Sequence, residues 1–181
     1  MRKLLVLIFF MFGFFNNLTA DYTKLAYDFK FKSIEGNYID LNDFQDKVIV
    51  VVNVASRCGF TNQYEDLQIL WDKYQNKGLI VLGIPTNDFK QEPGSNNDIK
   101  DFCKTNFNIT FPISEKISVI GNNSHPFYKW AKDNYGKNAI PKWNFHKIII
   151  DKKGKVADTF ASITKPSSKR FINSIENIIK N

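Results

Sequence analysis

Cys58 is one of only two cysteines in this chain of 181 residues, and its sequence setting suits a reactive thiol. It follows the apolar run Val48–Val54, which predicts a buried strand, and it precedes a helix-like segment that begins near Asn62. A thiol at a helix N-terminus faces backbone N–H groups and the positive end of the helix dipole, and both favour the nucleophilic thiolate. The alternative is an unreactive, buried cysteine that packs as a small hydrophobe.

Trp143 and Asn144 are neighbours that could assist such a thiolate. An indole N–H is a pure donor and an asparagine side chain offers two N–H groups, so both can stabilise a thiolate or a developing oxyanion. Trp143 could equally be a core aromatic, and Asn144 could be a turn residue.

The histidines give no metal site. His125 and His146 stand far apart, and no cysteine or histidine lies at metal-ligand spacing from them, so we assign no metal. His146 could line the rim of a pocket around Asn144 or be a structural strand residue. Arg57 could attract an anion beside Cys58 or be a solvated surface residue.

The chain alternates strand-like and helix-like segments around these residues. Turn residues Glu35–Asn37 predict an N-terminal β-hairpin, and Lys153-Gly154 predicts a second hairpin near the end of the chain. Further segments are predicted from apolar periodicity: helices at Tyr64–Tyr74, Asn97–Phe107, Pro126–Tyr135 and Ser167–Lys180, and strands at Leu79–Ile84, Lys147–Asp151 and Val156–Phe160. These elements predict an α/β fold with a central mixed β-sheet flanked by helices, with Cys58 at the carboxyl end of a strand, where such sheets place their sites.

The first twenty residues differ from the rest. Arg2 and Lys3 precede an apolar run, Leu4–Phe15, and the small residue Ala20 precedes a polar one, as in a secretory signal peptide. Residues 1–20 are therefore predicted to be a signal peptide, and 21–181 a single domain. The protein is expected to be exported, to the periplasm if bacterial, with an uncleaved leader acting as a membrane anchor as the alternative.

The chain is basic, with 25 lysines and arginines against 18 acidic residues, but these charges are scattered. The cluster Lys152–Lys155 fits a solvated hairpin turn, so nucleic-acid binding is not expected.

Three sequence blocks together resemble the signatures of the glutathione peroxidase family: NVASRCGFT at 53–61, GIPTNDFKQEPGS at 83–95 and KWNFHK at 142–147. The similarity also runs through Phe102–Ile113 and over nearly all of the chain after the leader. The resemblance implies a thioredoxin-like fold and the reduction of hydroperoxides to alcohols or water.

By this resemblance Cys58 is the peroxidatic residue, and Trp143 and Asn144 belong to the catalytic group. Asp88 departs from the family, which most often has glutamine at that position. An ionised carboxylate near the sulfur would disfavour the thiolate. Asp88 could be protonated and donate, could pass a proton to the leaving oxygen, or could face solvent while Asn87 or backbone N–H groups replace it.

Cys103 matches the resolving cysteine of the two-cysteine, thioredoxin-dependent members of the family. It would attack the sulfenic acid of Cys58 and form an intramolecular disulfide, and we expect its helix to unwind partly for this step. A static Cys58–Cys103 disulfide is the alternative.

The resemblance implies a thiol-dependent peroxidase with no haem or metal, whose reductant is a thioredoxin-like protein or glutathione. The short connection from Gly136 to Pro141 predicts a monomer, because the family's glutathione users tend to carry a longer insertion there. Two other functions remain open. The protein could be a peroxide sensor that passes oxidation to a partner, or a non-enzymatic thioredoxin-fold protein with a structural disulfide.

Overall fold

The computed structural model describes residues 22–180. The predicted signal peptide, residues 1–20, lies outside this range. None of the helices within 22–180 combines the length and apolar character that a bilayer crossing requires.

The described chain opens with the predicted N-terminal hairpin. Strands β1 (Lys30–Lys32) and β2 (Tyr38–Asp40) pair antiparallel as a separate two-stranded sheet. Phe31 and Ile39 face each other in this pairing and are both buried, so the hairpin contributes one apolar face to the core.

The central sheet has four strands in the order β4-β3-β5-β6. They are β3 (Val48–Val54), β4 (Leu79–Pro85), β5 (Lys147–Ile150) and β6 (Val156–Phe160). The β3–β4 pair is parallel and the other two pairs are antiparallel, so the sheet is mixed. Every residue of β3 and β4 is buried, as expected for strands covered on both faces.

Four helices cover the sheet: α1 (Gln63–Tyr74), α2 (Asn96–Phe107), α3 (Pro126–Tyr135) and α4 (Lys169–Lys180). Buried side chains of α1, α2 and α4 join one core cluster, which contains both cysteines. Buried side chains of α3 and of the N-terminal hairpin join a second cluster on the other face of the sheet. The α/β class and the mixed sheet flanked by helices are confirmed.

Local sequence signals explain where the helices stop and start. Ser95 and Asp98 form a reciprocal capping box at the start of α2, which satisfies two of the N–H groups that a helix leaves unpaired there. After α1, a short 3-10 turn ends at Gly78 in the left-handed conformation (φ +91°). The predicted final helix is shorter than expected and begins at Lys169, because Ser168 acts as a cap instead.

Candidate active site

Cys58 lies in a tight turn directly after β3. Its Sγ accepts a hydrogen bond from the Phe60 N–H at 3.4 Å, and its own N–H donates to Thr61 Oγ1 at 3.0 Å. The Thr61 hydroxyl in turn donates to the carbonyl of Ala55 at 2.9 Å, which closes the turn. The cysteine is 8% exposed, so its sulfur is held in a shallow, ordered position with one backbone donor.

The donor to the sulfur differs from the one expected from the sequence. The first N–H groups of α1 donate to carbonyls of the preceding turn, for example Gln63 N to Phe60 O at 2.8 Å and Tyr64 N to Thr61 O at 3.0 Å. They are therefore occupied and are not free for the thiol. The Phe60 N–H takes their place, because the chain turns twice between Cys58 and the helix.

Glu92 fixes the chain just before Cys58. Its buried carboxylate accepts hydrogen bonds from Ser56 N at 2.7 Å and Ser56 Oγ at 2.9 Å. Burial raises the pKa of Glu92, and the two bonds from Ser56 oppose this shift. The Glu92 N–H donates to Asn87 Oδ1 at 3.0 Å, so the loop after β4 is tied both to itself and to the Cys58 turn.

Gln91 joins the Cys58 turn to Asn144. Its backbone carbonyl accepts from Arg57 N at 3.0 Å, and its side-chain Oε1 accepts from Asn144 Nδ2 at 2.9 Å. Asn144 is fully buried, and its Oδ1 has no partner among residues 22–180. The predicted neighbours Cys58 and Asn144 therefore sit in segments that one residue connects.

Trp143 lies at the surface edge of this arrangement. Its ring packs against Phe89, with 5.4 Å between ring centroids, and it is 41% exposed. The backbone carbonyl of Trp143 accepts from Asn53 Nδ2 at 3.1 Å. This exposure rules out the fully buried core aromatic that the sequence left open.

Phe145 lies in the tight turn that directly follows Trp143 and Asn144. It has φ +63°, a left-handed conformation that costs a bulky residue roughly 1–3 kcal/mol. The cost is offset by full burial of its ring, which meets Tyr64 edge-on at 5.4 Å, and by a hydrogen bond from its N–H to Asn53 O at 2.6 Å.

The Asp88 carboxylate bonds to the segment Ser118–Ile120. Its Oδ1 accepts from Ser118 Oγ at 2.7 Å, and its Oδ2 accepts from Val119 N at 2.6 Å and Ile120 N at 3.1 Å. Backbone N–H groups can only donate, so Oδ2 is an acceptor in the bonds with Val119 and Ile120. Of the three alternatives considered from the sequence, this arrangement agrees in part with the third, because a backbone N–H, that of Phe60, bonds the sulfur, although Asp88 itself bonds Ser118, Val119 and Ile120 instead of facing solvent.

Cys103 is buried on α2, and both cysteines are free thiols in this structure. Burial raises the pKa of the Cys103 thiol to about 11, the nearby Glu92 carboxylate adds to this rise, and the nearby Tyr64 hydroxyl opposes it. The Tyr64 hydroxyl is buried and has no hydrogen-bond partner within the described range. The resolving candidate is therefore protonated and shielded while α2 is intact.

His146 is a buried residue directly before β5. The backbone N–H of His146 donates to Asn53 Oδ1 at 3.2 Å, and the ring Nε2 has no partner in the described part of the chain. Burial lowers its pKa to about 4, and Lys147 and Lys142 add to this shift, so the ring is neutral. Arg57 is exposed. Within residues 22–180, no group of three or more histidine, cysteine, aspartate or glutamate side chains is placed to hold a metal ion.

Two aspects of the site were not predicted from the sequence. Gln91 and Glu92 were not singled out as site residues, although the structure shows them bridging separate segments. The available signal was the position of both polar residues inside a recognised block. The second is Lys147, a fully buried lysine in β5, for which a charged residue in an apolar strand was the signal.

Comparison with protein families gives a match to the glutathione peroxidase model over residues 26–132. A hydroperoxy fatty acid reductase, gpx1, of Synechocystis is 42% identical over 158 residues, covering 82% of this chain and 94% of the relative. Glutathione peroxidase-like peroxiredoxin 2 of Saccharomyces cerevisiae is 46% identical over 151 residues, covering 81% and 93%.

Solved structures of similar fold also match this chain. The apo crystal structure of Trgpx matches with a TM-score of 0.70 and 34% identity, over 88% of this chain and 97% of that one. A thioredoxin-family thiol:disulfide interchange protein of Chlorobium tepidum matches with a TM-score of 0.64 at 16% identity, over 83% and 92%, which shows a shared fold alone.

Proposed function

The chain belongs to the glutathione peroxidase family, and from this premise we propose that it reduces hydroperoxides with Cys58 as the attacking thiolate and an external thiol as reductant. The observation that carries the proposal is the bridge made by Gln91 between the Cys58 turn and Asn144. It joins three blocks that are far apart in sequence into one site, with an exposed indole, Trp143, at its edge.

In the first step the Cys58 thiolate attacks one peroxide oxygen. The S–O bond forms as the O–O bond breaks, which gives a sulfenic acid and an alkoxide or hydroxide that takes up a proton and leaves as alcohol or water. The Phe60 N–H stabilises the thiolate before attack. The amide of Asn144 and the indole N–H of Trp143 are the candidate donors to the developing oxyanion.

In the second step Cys103 attacks the sulfenic sulfur, a disulfide forms, and water leaves. Bonded cysteines need Cα atoms within about 7 Å and a deprotonated attacking thiol. The intact α2 keeps the pKa of Cys103 at about 11, so this step requires α2 to open and expose the thiol.

The reductant that returns both cysteines to thiols is a thioredoxin-like protein, with glutathione as the second choice. The presence of Cys103 supports a dithiol donor, since a protein disulfide exchanges readily with a second dithiol. Relatives called peroxiredoxins support the same class of reductant. No prosthetic group takes part in this scheme.

The hydroperoxide is proposed to be organic as well as inorganic, and lipid hydroperoxides are included. The exposed Trp143 ring and its contact with Phe89 offer an apolar surface beside the site, which favours a substrate with a hydrocarbon part. The Synechocystis relative is named for hydroperoxy fatty acids, which supports this class.

Asp88 is proposed to position the site rather than to donate to the sulfur. Its carboxylate is committed to Ser118 Oγ and to the N–H groups of Val119 and Ile120, which ties the loop after β4 to the segment that precedes α3. Phe89, the next residue, carries the contact with Trp143, so the tie sets where the indole stands.

The test is oxidation of the reduced protein in a stopped-flow instrument by hydrogen peroxide and by a fatty-acid hydroperoxide. Rapid formation of a sulfenic acid on Cys58, lost in Cys58→Ser, is the expected result. Steady-state consumption of peroxide with a thioredoxin system, and slower consumption with glutathione, distinguishes an enzyme from a sensor. A protein that peroxides leave unchanged contradicts the proposal.

We also propose that the protein is an exported monomer with an antioxidant role, and a retained leader as anchor is the alternative. Only a short 3-10 turn, Lys137–Ala139, lies between α3 and the segment that carries Trp143 and Asn144. This connection is too short to hold the longer insertion expected at an oligomer interface, which supports the monomer. N-terminal sequencing of the purified protein tests cleavage after Ala20, and light scattering tests the oligomeric state.

A further inference from the structure

Lys147 is a fully buried lysine at the start of β5. It pairs with Val52 of β3, and Val52 belongs to the core cluster that contains both cysteines. The Lys147 Nζ donates to Gln63 Oε1 at 2.5 Å and to the Thr164 carbonyl at 2.7 Å. Both acceptors are neutral, so the ammonium is held by dipoles instead of a carboxylate, an expensive arrangement in a core.

A short chain of hydrogen bonds leads from this lysine to the nucleophile. Gln63 is the first residue of α1, and its N–H donates to Phe60 O at 2.8 Å. The N–H of Phe60 donates to Cys58 Sγ at 3.4 Å. Gln63 Nε2 also donates to Ser162 O at 2.7 Å, so its amide is held at both ends. Three hydrogen bonds therefore separate Lys147 from the reacting sulfur.

Few charged groups surround the lysine. Asp66 on α1 is the acidic group that acts on it, and its carboxylate is already an acceptor for Ser167 Oγ. His146, the preceding residue, is a neutral ring. Phe160 of β6, which pairs with Lys147, carries no charge. Burial lowers the pKa of Lys147 to about 7, with Asp66 opposing, so ammonium and amine forms coexist near neutral pH.

We propose that Lys147 is a positioning residue for the Cys58 thiolate, acting through Gln63 and the turn at Phe60. Charge-assisted hydrogen bonds are about twice as strong as neutral ones, so the ammonium holds Gln63 more firmly than the amine does. The firmer hold keeps the Phe60 N–H aimed at the sulfur. The inference deepens the proposed function and rests on Cys58 being the reacting thiol.

The test measures the reaction of Cys58 with iodoacetamide as a function of pH, with Cys103→Ser as the background to isolate one thiol. Lys147→Met removes the donor and keeps the length of the side chain. We expect the pH midpoint of alkylation to move up by about one unit, which lowers the rate about tenfold at any pH well below both midpoints. Gln63→Leu should reproduce the shift, and the double variant should add little to either change.

Ile148→Met is the matched control, because Ile148 is the next residue of β5 and lies in the core cluster on the opposite face of the sheet. It should leave the alkylation midpoint in place. If Lys147→Met does not fold, as judged by near-UV circular dichroism, Gln63→Leu carries the test. Folded variants with unchanged alkylation midpoints overturn the inference.

The same experiment separates this inference from the peroxidase proposal. Suppose that Lys147→Met shifts the alkylation profile but peroxides do not oxidise the wild-type protein. This result would support the role of Lys147 and contradict the peroxidase function. An unshifted profile with fast peroxide reduction would do the reverse.

Discussion

The Ser118 hydroxyl donates to Asp88 Oδ1 across 2.7 Å, which holds Asp88 in a clamp between the loop after β4 and the segment before α3. If the clamp is what matters, Asp88→Asn should keep most of the rate of Cys58 oxidation, because an amide oxygen still accepts from backbone N–H groups. Asp88→Ala should lose about tenfold. Stopped-flow oxidation by hydrogen peroxide measures both variants.

Ser118→Ala is the partner control, and its loss should be smaller than that of Asp88→Ala, since the N–H groups of Val119 and Ile120 still hold the carboxylate. A hundredfold loss in Asp88→Asn, of the size that removal of a key catalytic donor causes, would show that the charge itself serves the reaction.

Asn144 should be needed for fast peroxide reduction. Asn144→Ala removes a buried donor beside the Cys58 turn and should slow oxidation by about a hundredfold. Gln91→Ala should cost less, about tenfold, because it removes the partner that orients the amide and not the amide itself. Second-order rate constants with hydrogen peroxide give both values.

Asn134→Ala is the matched control for this pair, since the Asn134 side chain also donates within the protein, to Trp130 O, but on α3. Equal losses at Asn134 and Asn144 would argue that the effect is one of general stability.

Cys103→Ser should separate the two steps of turnover. The variant should be oxidised by peroxide as fast as the wild type, because Cys103 takes no part in the first step. It should then retain the mass of one added oxygen, where the wild type instead loses two hydrogens to a disulfide. Mass spectrometry of intact protein after a single oxidation shows this, and a disulfide-free wild type would contradict the resolving role.

Helix α2 should open when the disulfide forms. We expect amide hydrogen exchange across Asn96–Phe107 to be faster in the oxidised protein than in the reduced one, while exchange in α3, Pro126–Tyr135, stays unchanged as an internal reference. Equal exchange in both redox states would mean that the thiols meet without this opening.

The buried ring of His146 should make the protein sensitive to mild acid. Its folded pKa of about 4 lies below the ordinary value of 6.5, so the folded state binds fewer protons across this window. Stability is therefore lost as pH falls from 6.5 toward 4, by about 2 kcal/mol between pH 7 and 4.5. Urea unfolding of wild type and His146→Gln at the two pH values isolates the difference, and parallel losses would contradict it.

The sequence was sufficient to predict most of the elements because their signals are local. The run Val48–Val54 is long and apolar, and the helix Pro126–Tyr135 starts at a proline and ends before a glycine, so both were predicted to the residue. The start of the last helix was misplaced by two residues, because the Ser168 hydroxyl bonds the first turn of the helix while the Ser167 hydroxyl bonds Asp66.

The site was harder to predict, since its residues meet only through the fold. The family resemblance predicted that Cys58 and Asn144 share a site, but the bridge by Gln91 depends on loop geometry that periodicity does not encode. The donor to the sulfur was assigned to the helix, and two tight turns instead supply the Phe60 N–H. The direction of the Asp88 carboxylate also depends on a distant segment, Ser118–Ile120.

The left-handed backbone at Phe145 has a consequence for how activity is lost when the protein unfolds. One ring both fills the core and holds the reversal that points Asn144 inward. Because one ring does both, we expect any loss of packing around Phe145 to displace Asn144 at the same time. We therefore expect heat to abolish activity and tertiary structure in a single transition.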